Sequence, residues 1–128
     1  MTTIERRIAR ILSHYPELRL AILFGSQAGG GATRDSDIDI GVLSEGPMSA
    51  AFKLELMQRV GLECGRPVDI VDLQTAGEPV LGQVLKGKRL LGDNAAYAQL
   101  LTRHLLDTAD FVPLQRRILA ERRAQWIN

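Results

Sequence analysis

A single cysteine, Cys64, occurs in 128 residues. A lone thiol cannot close an internal disulfide, so the fold must rest on a packed core, and this usage fits a reducing compartment. Aromatic side chains are scarce, at 5%. They are not interleaved with basic residues as a stacking platform, which argues against direct binding of nucleic acid by this chain. Long apolar runs are missing as well. The longest, Leu20 to Phe24, is far below the roughly 20 residues that span a bilayer, so no membrane association is expected. Arg6, Arg7 and Arg10 are interleaved with isoleucines, and neither an apolar stretch nor a small-residue cleavage site follows. No secretory signal is expected, and a cytoplasmic setting is. Neither sign of charge dominates: 16 Lys+Arg face 15 Asp+Glu, a net +1. With 45% hydrophobic and 24% charged residues, the composition is that of one ordinary globular domain.

The even charge hides a division. Residues 1–85 carry a net −3 and residues 86–128 a net +4, so a basic tail follows an acidic front. Thr2 and Glu5 have capping-box spacing, and Ile4, Ile8, Ile11, Leu12 and Tyr15 recur at helical spacing. They predict a first helix of about thirteen residues stopped by Pro16. Leu18 to Phe24 reads as a buried strand ended by Gly25, and Asp37 to Leu43 as a second. A second helix is expected from Pro47, with Phe52, Leu56, Met57 and Val60 on its buried side and loosening at Gly61 and Gly65. Pro67 to Leu73 predicts a third strand, Glu78 to Lys86 a short helix, and Lys88 to Leu91 an edge strand. Asn94 is placed to cap a last helix whose apolar side holds Tyr97, Leu101, Leu105 and Ala109. Pro113 ends or kinks it, and Leu114 to Trp126 resumes as a basic helix. The sum is a small α/β (α+β) domain on one sheet. Residues 1–92 form its core and residues 93–128 a C-terminal helical extension.

The chemistry concentrates in Gly25-Ser26, ten residues, then Asp37-Ile38-Asp39. A glycine at a strand end lets the backbone approach a ligand closely, and nearby N–H groups and the Ser26 hydroxyl can cradle phosphate oxygens. Asp37 and Asp39 alternate onto one face of a strand, close enough to share hard divalent cations. Two like charges that near are costly unless a cation neutralises them. If the third strand neighbours the second, Asp69 reaches the same place. Three carboxylates then fit two Mg²⁺ ions clamping an in-line displacement at phosphorus.

The stretch FGSQAGG…RDSDIDIGVL followed by RPVDIVDL resembles the minimal nucleotidyltransferases, the smallest members of the DNA polymerase β-like superfamily. The resemblance covers about Leu20 to Leu91. It implies a small mixed sheet flanked by helices, ATP with Mg²⁺, and transfer of AMP to a hydroxyl. Gly25 and Ser26 would bind the ATP phosphates, and Asp37, Asp39 and Asp69 would be the catalytic metal-binding triad, Asp69 as ligand or base. Many relatives carry a basic residue where this chain has Gln27 or Gly29, and Arg34 is placed to substitute as a phosphate contact. Stand-alone minimal members resemble antitoxins that adenylylate a tyrosine of a helical HEPN ribonuclease toxin. Such a toxin is the expected partner in a hetero-oligomeric complex, with Arg116, Arg117, Arg122, Arg123 and Trp126 suited to docking.

Two rival readings keep the fold. One is a non-catalytic antitoxin that covers its partner; the other is transfer to a small molecule such as an aminoglycoside. His14 and His104 have no carboxylate or cysteine at ligand spacing and read as surface or helix-end residues. Cys64 reads as a small half-buried side chain, Tyr15 and Tyr97 as core, and Asp72 as structural.

Overall fold

A computed structural model of the chain describes residues 1–25 and 37–108. The expectations for Ser26, Arg34 and the glycine stretch lie outside the described residues, as do those for Ala109, Pro113 and the basic helix beyond it. The order is α1 (Thr3–Leu12), β1 (Leu18–Phe24), β2 (Ile38–Ser44), α2 (Ala50–Cys64), β3 (Val68–Asp72), α3 (Val80–Leu85), β4 (Lys88–Gly92) and α4 (Asn94–Thr108).

α1 begins as its sequence dictates. Thr2 Oγ1 accepts from the Glu5 amide at 3.2 Å, and Glu5 Oε2 accepts from the Thr2 amide at 2.9 Å, closing a capping box. The helix ends at Leu12, with Ser13 as C-cap, so it has 10 residues rather than about thirteen. Pro16 disfavours helical geometry at Tyr15, and Ser13 to Tyr15 close the helix in turns. α2 starts at Ala50, later than Pro47 suggested. The Ser49 hydroxyl accepts from the Phe52 amide at 3.0 Å and sets that start. The helix runs on through Gly61 and stops at Gly65, whose φ of 64° is the left-handed cap that glycine tolerates.

The sheet is mixed, in the order β3-β2-β1-β4. β1 runs antiparallel to β2 and β4, while β2 and β3 are parallel and joined through α2. Alternation along the strands divides the core between the two faces. Ile38, Ile40, Val42, Val68, Ile70, Ala21 and Leu23 pack with Ile8, Leu12, Leu56 and Val60 of α1 and α2. Leu20, Ile22, Phe24, Leu43 and Leu73 pack on the opposite face with Leu81 and Val84 of α3 and Ala96 and Leu100 of α4.

The phase of α4 differs from its apolar pattern. Leu101 and Leu105 are 37% and 57% exposed, and Ala96 and Leu100 are the buried pair. Two anchors hold that rotation. Arg103 donates to the carbonyls of Leu73, Gln74 and Ala76, and His104 Nδ1 lies 2.6 Å from Glu78 Oε1. Asp93, rather than Asn94, caps the helix: its Oδ1 accepts from the Ala96 amide at 2.7 Å. Among the described residues no helix is long and apolar enough to cross a membrane.

Candidate active site

One end of each of the four strands lies at the same margin of the sheet. Since β1 is antiparallel to β2 and β4, and β2 parallel to β3, the end of β1 meets the beginnings of the other three strands. The ladder pairs Phe24 with Asp39 and Asp39 with Asp69. Asp39, Gly41 and Leu43 of β2, Asp69 and Val71 of β3, and Leu73 just after β3 therefore share the face that α3 and α4 cover lower down. A Cβ on Gly41 would lie 2.6 Å from Val84 Cγ1 and 3.0 Å from Leu73 Cδ2. This bare position lets α3 lie flat on the sheet, and the aspartates emerge just beyond its cover.

Gly25 has a φ of 74°, and a Cβ there would stand 2.6 Å from Asp39 Oδ2. Any other residue would be strained and would also push the carboxylate aside. A cleft of about 450 Å³ opens at this point, lined by Phe24, Gly25, Asp39, Asp69, Val80 and Lys86 among others. Burial raises the Asp39 carboxyl above its ordinary value, and the charges of Asp69 and then Asp37 push it the same way. Asp37 itself is exposed, one residue ahead of β2.

The structure thus brings Asp39 and Asp69 together against Gly25, with Asp37 near enough to act on Asp39 by its charge. Among the described residues, no three His, Cys, Asp or Glu side chains form a ready-made metal cluster. The donors nonetheless suit a hard divalent cation: they are carboxylate oxygens only, and their mutual repulsion already disfavours the ionised state of Asp39.

Lys86 is a functional candidate that sequence reasoning did not single out. It caps the C-terminus of α3 and is the one cation among the described residues lining the cleft. The sequence signal was slight. The buried pair Leu81 and Val84 fixes the rotation of α3, but only packing shows that this rotation carries Val80, Gln83 and Lys86 to the carboxylates. Other expectations resolve plainly. His104 pairs with Glu78, and that hydrogen bond holds the Glu78 carboxyl below its usual value. Asp72 Oδ1 accepts from the Gln74 amide at 3.0 Å, a structural turn. Cys64 is half-buried, which raises its thiol. Tyr15 packs edge-on to Phe52 at 5.5 Å.

A mixed four-stranded sheet presenting aspartates on neighbouring parallel strands, beside a glycine turn, is the architecture of the polymerase β-like nucleotidyltransferases. Residues 6–96 match the family model Polymerase beta, Nucleotidyltransferase, and the chain belongs to that family. It is 38% identical over 90 residues to the protein adenylyltransferase MntA of Shewanella oneidensis, a match over 69% of this chain and 65% of MntA. The match therefore spans slightly less than two thirds of that relative. Among solved structures, the chain resembles one from a toxin–antitoxin complex with AMP-PNP. The TM-score is 0.70 at 29% identity, over 96% of this chain and 94% of the other. It also resembles a chain from the complex of tri-AMPylated Shewanella oneidensis HEPN toxin with MNT antitoxin. There the TM-score is 0.64 at 28% identity, over 94% and 91% of the two chains.

Proposed function

We propose that this protein is a protein adenylyltransferase that moves AMP from ATP to a tyrosine hydroxyl of a HEPN-type toxin partner, and thereby acts as its antitoxin. The observation that carries the reading is the register of β2 against β3, which sets Asp39 beside Asp69 at a glycine that leaves no room for a side chain. The likeness to MntA and to the AMPylated toxin complex supports the acceptor class.

Asp37, Asp39 and Asp69 are the residues that would hold two Mg²⁺ ions. When bound, the ions neutralise the triphosphate and lower the pKa of the attacking hydroxyl. In the transfer, the acceptor oxygen bonds to the α-phosphorus while the bond from that phosphorus to the bridging oxygen breaks. Pyrophosphate leaves with the electron pair. Asp69, on the outer strand of the pair, would act either as the third metal ligand or as the base that takes the hydroxyl proton. Gly25 would let the triphosphate lie against backbone, and Lys86 would add a positive charge from the end of α3. Ser26 and Arg34, outside the described residues, are the further phosphate contacts that the family resemblance implies. ATP as the donor and an unpaired thiol in Cys64 both suit the cytoplasm.

Radiolabelled ATP, Mg²⁺ and the partner toxin test this directly. Transfer by the natural chain, lost in Asp37→Asn/Asp39→Asn, is the expected result; no transfer, or equal transfer by both, refutes it. The basic residues missing at positions 27 and 29 favour a second reading, an antitoxin that works by covering its partner. Full neutralisation of the toxin by the double variant would select that one.

A further inference from the structure

Among the described residues β3 is an edge of the sheet, and no described strand lies beside the main-chain groups on its outer side. Pro67 O accepts from the Ile38 amide, and the Leu73 amide donates to Val42 O, both at 2.9 Å. Odd-numbered residues of β3 therefore turn their N–H and C=O toward β2, and Ile70 turns both of its groups outward. Alongside lies a groove of about 330 Å³, lined by Lys53, Asp69, Ile70, Asp72, Gly77 and Val80 among others. It shares Asp69, Val71 and Val80 with the catalytic cleft, so the two are continuous. Lys53 forms no ion pair among the described residues, whose salt bridges are Lys88–Glu5 and His104–Glu78.

We infer that the outer edge of β3 is the acceptor track, where an extended segment of the partner pairs as a fifth strand and delivers its hydroxyl to Asp69. This rests on the adenylyltransferase reading and specifies how that acceptor binds. Outward N–H and C=O groups at strand spacing are matched by another main chain, not by a small acceptor. A strand laid along β3 alternates its side chains between the two faces of the sheet. A residue across from Asp69 or Val71 points to the face with the catalytic cleft. Its immediate neighbours point to the face of α2, where Lys53 borders the groove, so a carboxylate one residue from the hydroxyl completes the match.

Hydrogen exchange by NMR on the chain with and without its HEPN partner tests the track. The Ile70 and Asp72 amides are expected to slow by roughly tenfold or more in the complex. Gly77→Trp provides a second readout, because Gly77 lines the groove and a Cβ there would meet no described atom within 4 Å, so a bulky side chain can start from it without displacing the fold. This variant is expected to raise KM for the partner by about tenfold, equivalent to ~1.4 kcal/mol, while its affinity for AMP-PNP changes less than about twofold. Lys53→Glu is expected to raise the same KM, and a Lys placed beside the accepting tyrosine to restore it. AMP transfer with unchanged exchange on β3, or a normal KM in Gly77→Trp, overturns the inference. So does protection of β3 that appears in the isolated chain as its concentration rises, which would assign the edge to a second copy. Partner-dependent protection without any AMP transfer keeps the track and removes the enzymatic reading.

Discussion

Asp39 carries opposed demands. Burial and two neighbouring carboxylates raise its pKa, so its ionised form weakens the fold that presents it. A group with a raised folded pKa binds a proton more tightly when folded, so its destabilising effect is full above that pKa, fades as pH falls below it, and vanishes only below the unfolded carboxylate pKa. Asp39→Asn is therefore expected to raise Tm at neutral pH in magnesium-free buffer, with the gain disappearing in acid. AMP transfer should fall by at least about a hundredfold in the same variant. Calorimetry across pH and a radiolabel assay measure the two effects. Glu5 has the opposite sign. Burial raises its carboxyl, but the Thr2 amide and Lys88 outweigh this and hold it below its usual value. Its contribution is present above the unfolded carboxylate pKa and is lost as pH falls through the lowered folded one. Lys88→Met leaves a carboxylate that is almost wholly buried without its cation. The expected cost is about 1–2 kcal/mol at neutral pH, with acid unfolding beginning at a higher pH than in the natural chain.

Among the elements, α4 shows best how anchors override an apolar stripe. Leu101 and Leu105 recur at helical spacing with Tyr97, yet the helix turns Ala96 and Leu100 inward. Tyr97 stays partly covered because its hydroxyl donates to Leu85 O at 3.2 Å and Arg89 lies 4.9 Å from its ring centroid. The guanidinium of Arg103 ties the helix to the loop after β3, and so the wall of the site to the rest of the fold. The cap gives a clean comparison. Asp93→Ala removes the acceptor of the Ala96 amide and should cost about 1 kcal/mol, whereas Asn94→Ala should be nearly neutral. Urea titration of both variants decides between the two residues.

At the scale of the molecule, one sheet covered on both faces leaves the carboxylate margin open to solvent. The aspartates sit where α3 ends its cover, and on the proposed reading a bound cation would relieve their repulsion. Mg²⁺ is expected to stabilise the folded chain by about 1.4 kcal/mol at ten times its Kd. Tm should rise by roughly 4 °C, return on chelation, and stay unmoved in Asp39→Asn/Asp69→Asn, as read by differential scanning fluorimetry.

The order of elements and the candidate chemistry were legible because both rest on short-range periodicity. The capping box, the apolar strands, the turn at Gly25 and the alternation that puts Asp39 opposite Ile38 and Ile40 on its strand each lie within a few residues. Whether Asp69 reaches Asp39 depends on register between strands joined by a helix, and no local pattern states it. The same holds for the Glu5–Lys88 pair across 83 residues, for Lys86 at the cleft and for the rotation of α4. Sequence by itself determined which residues can do chemistry and on which face of their own strand they stand, because main-chain geometry fixes that within each element. Tertiary structure alone decided which of them meet, because packing on both faces of the sheet sets the strand register and the helix rotations together.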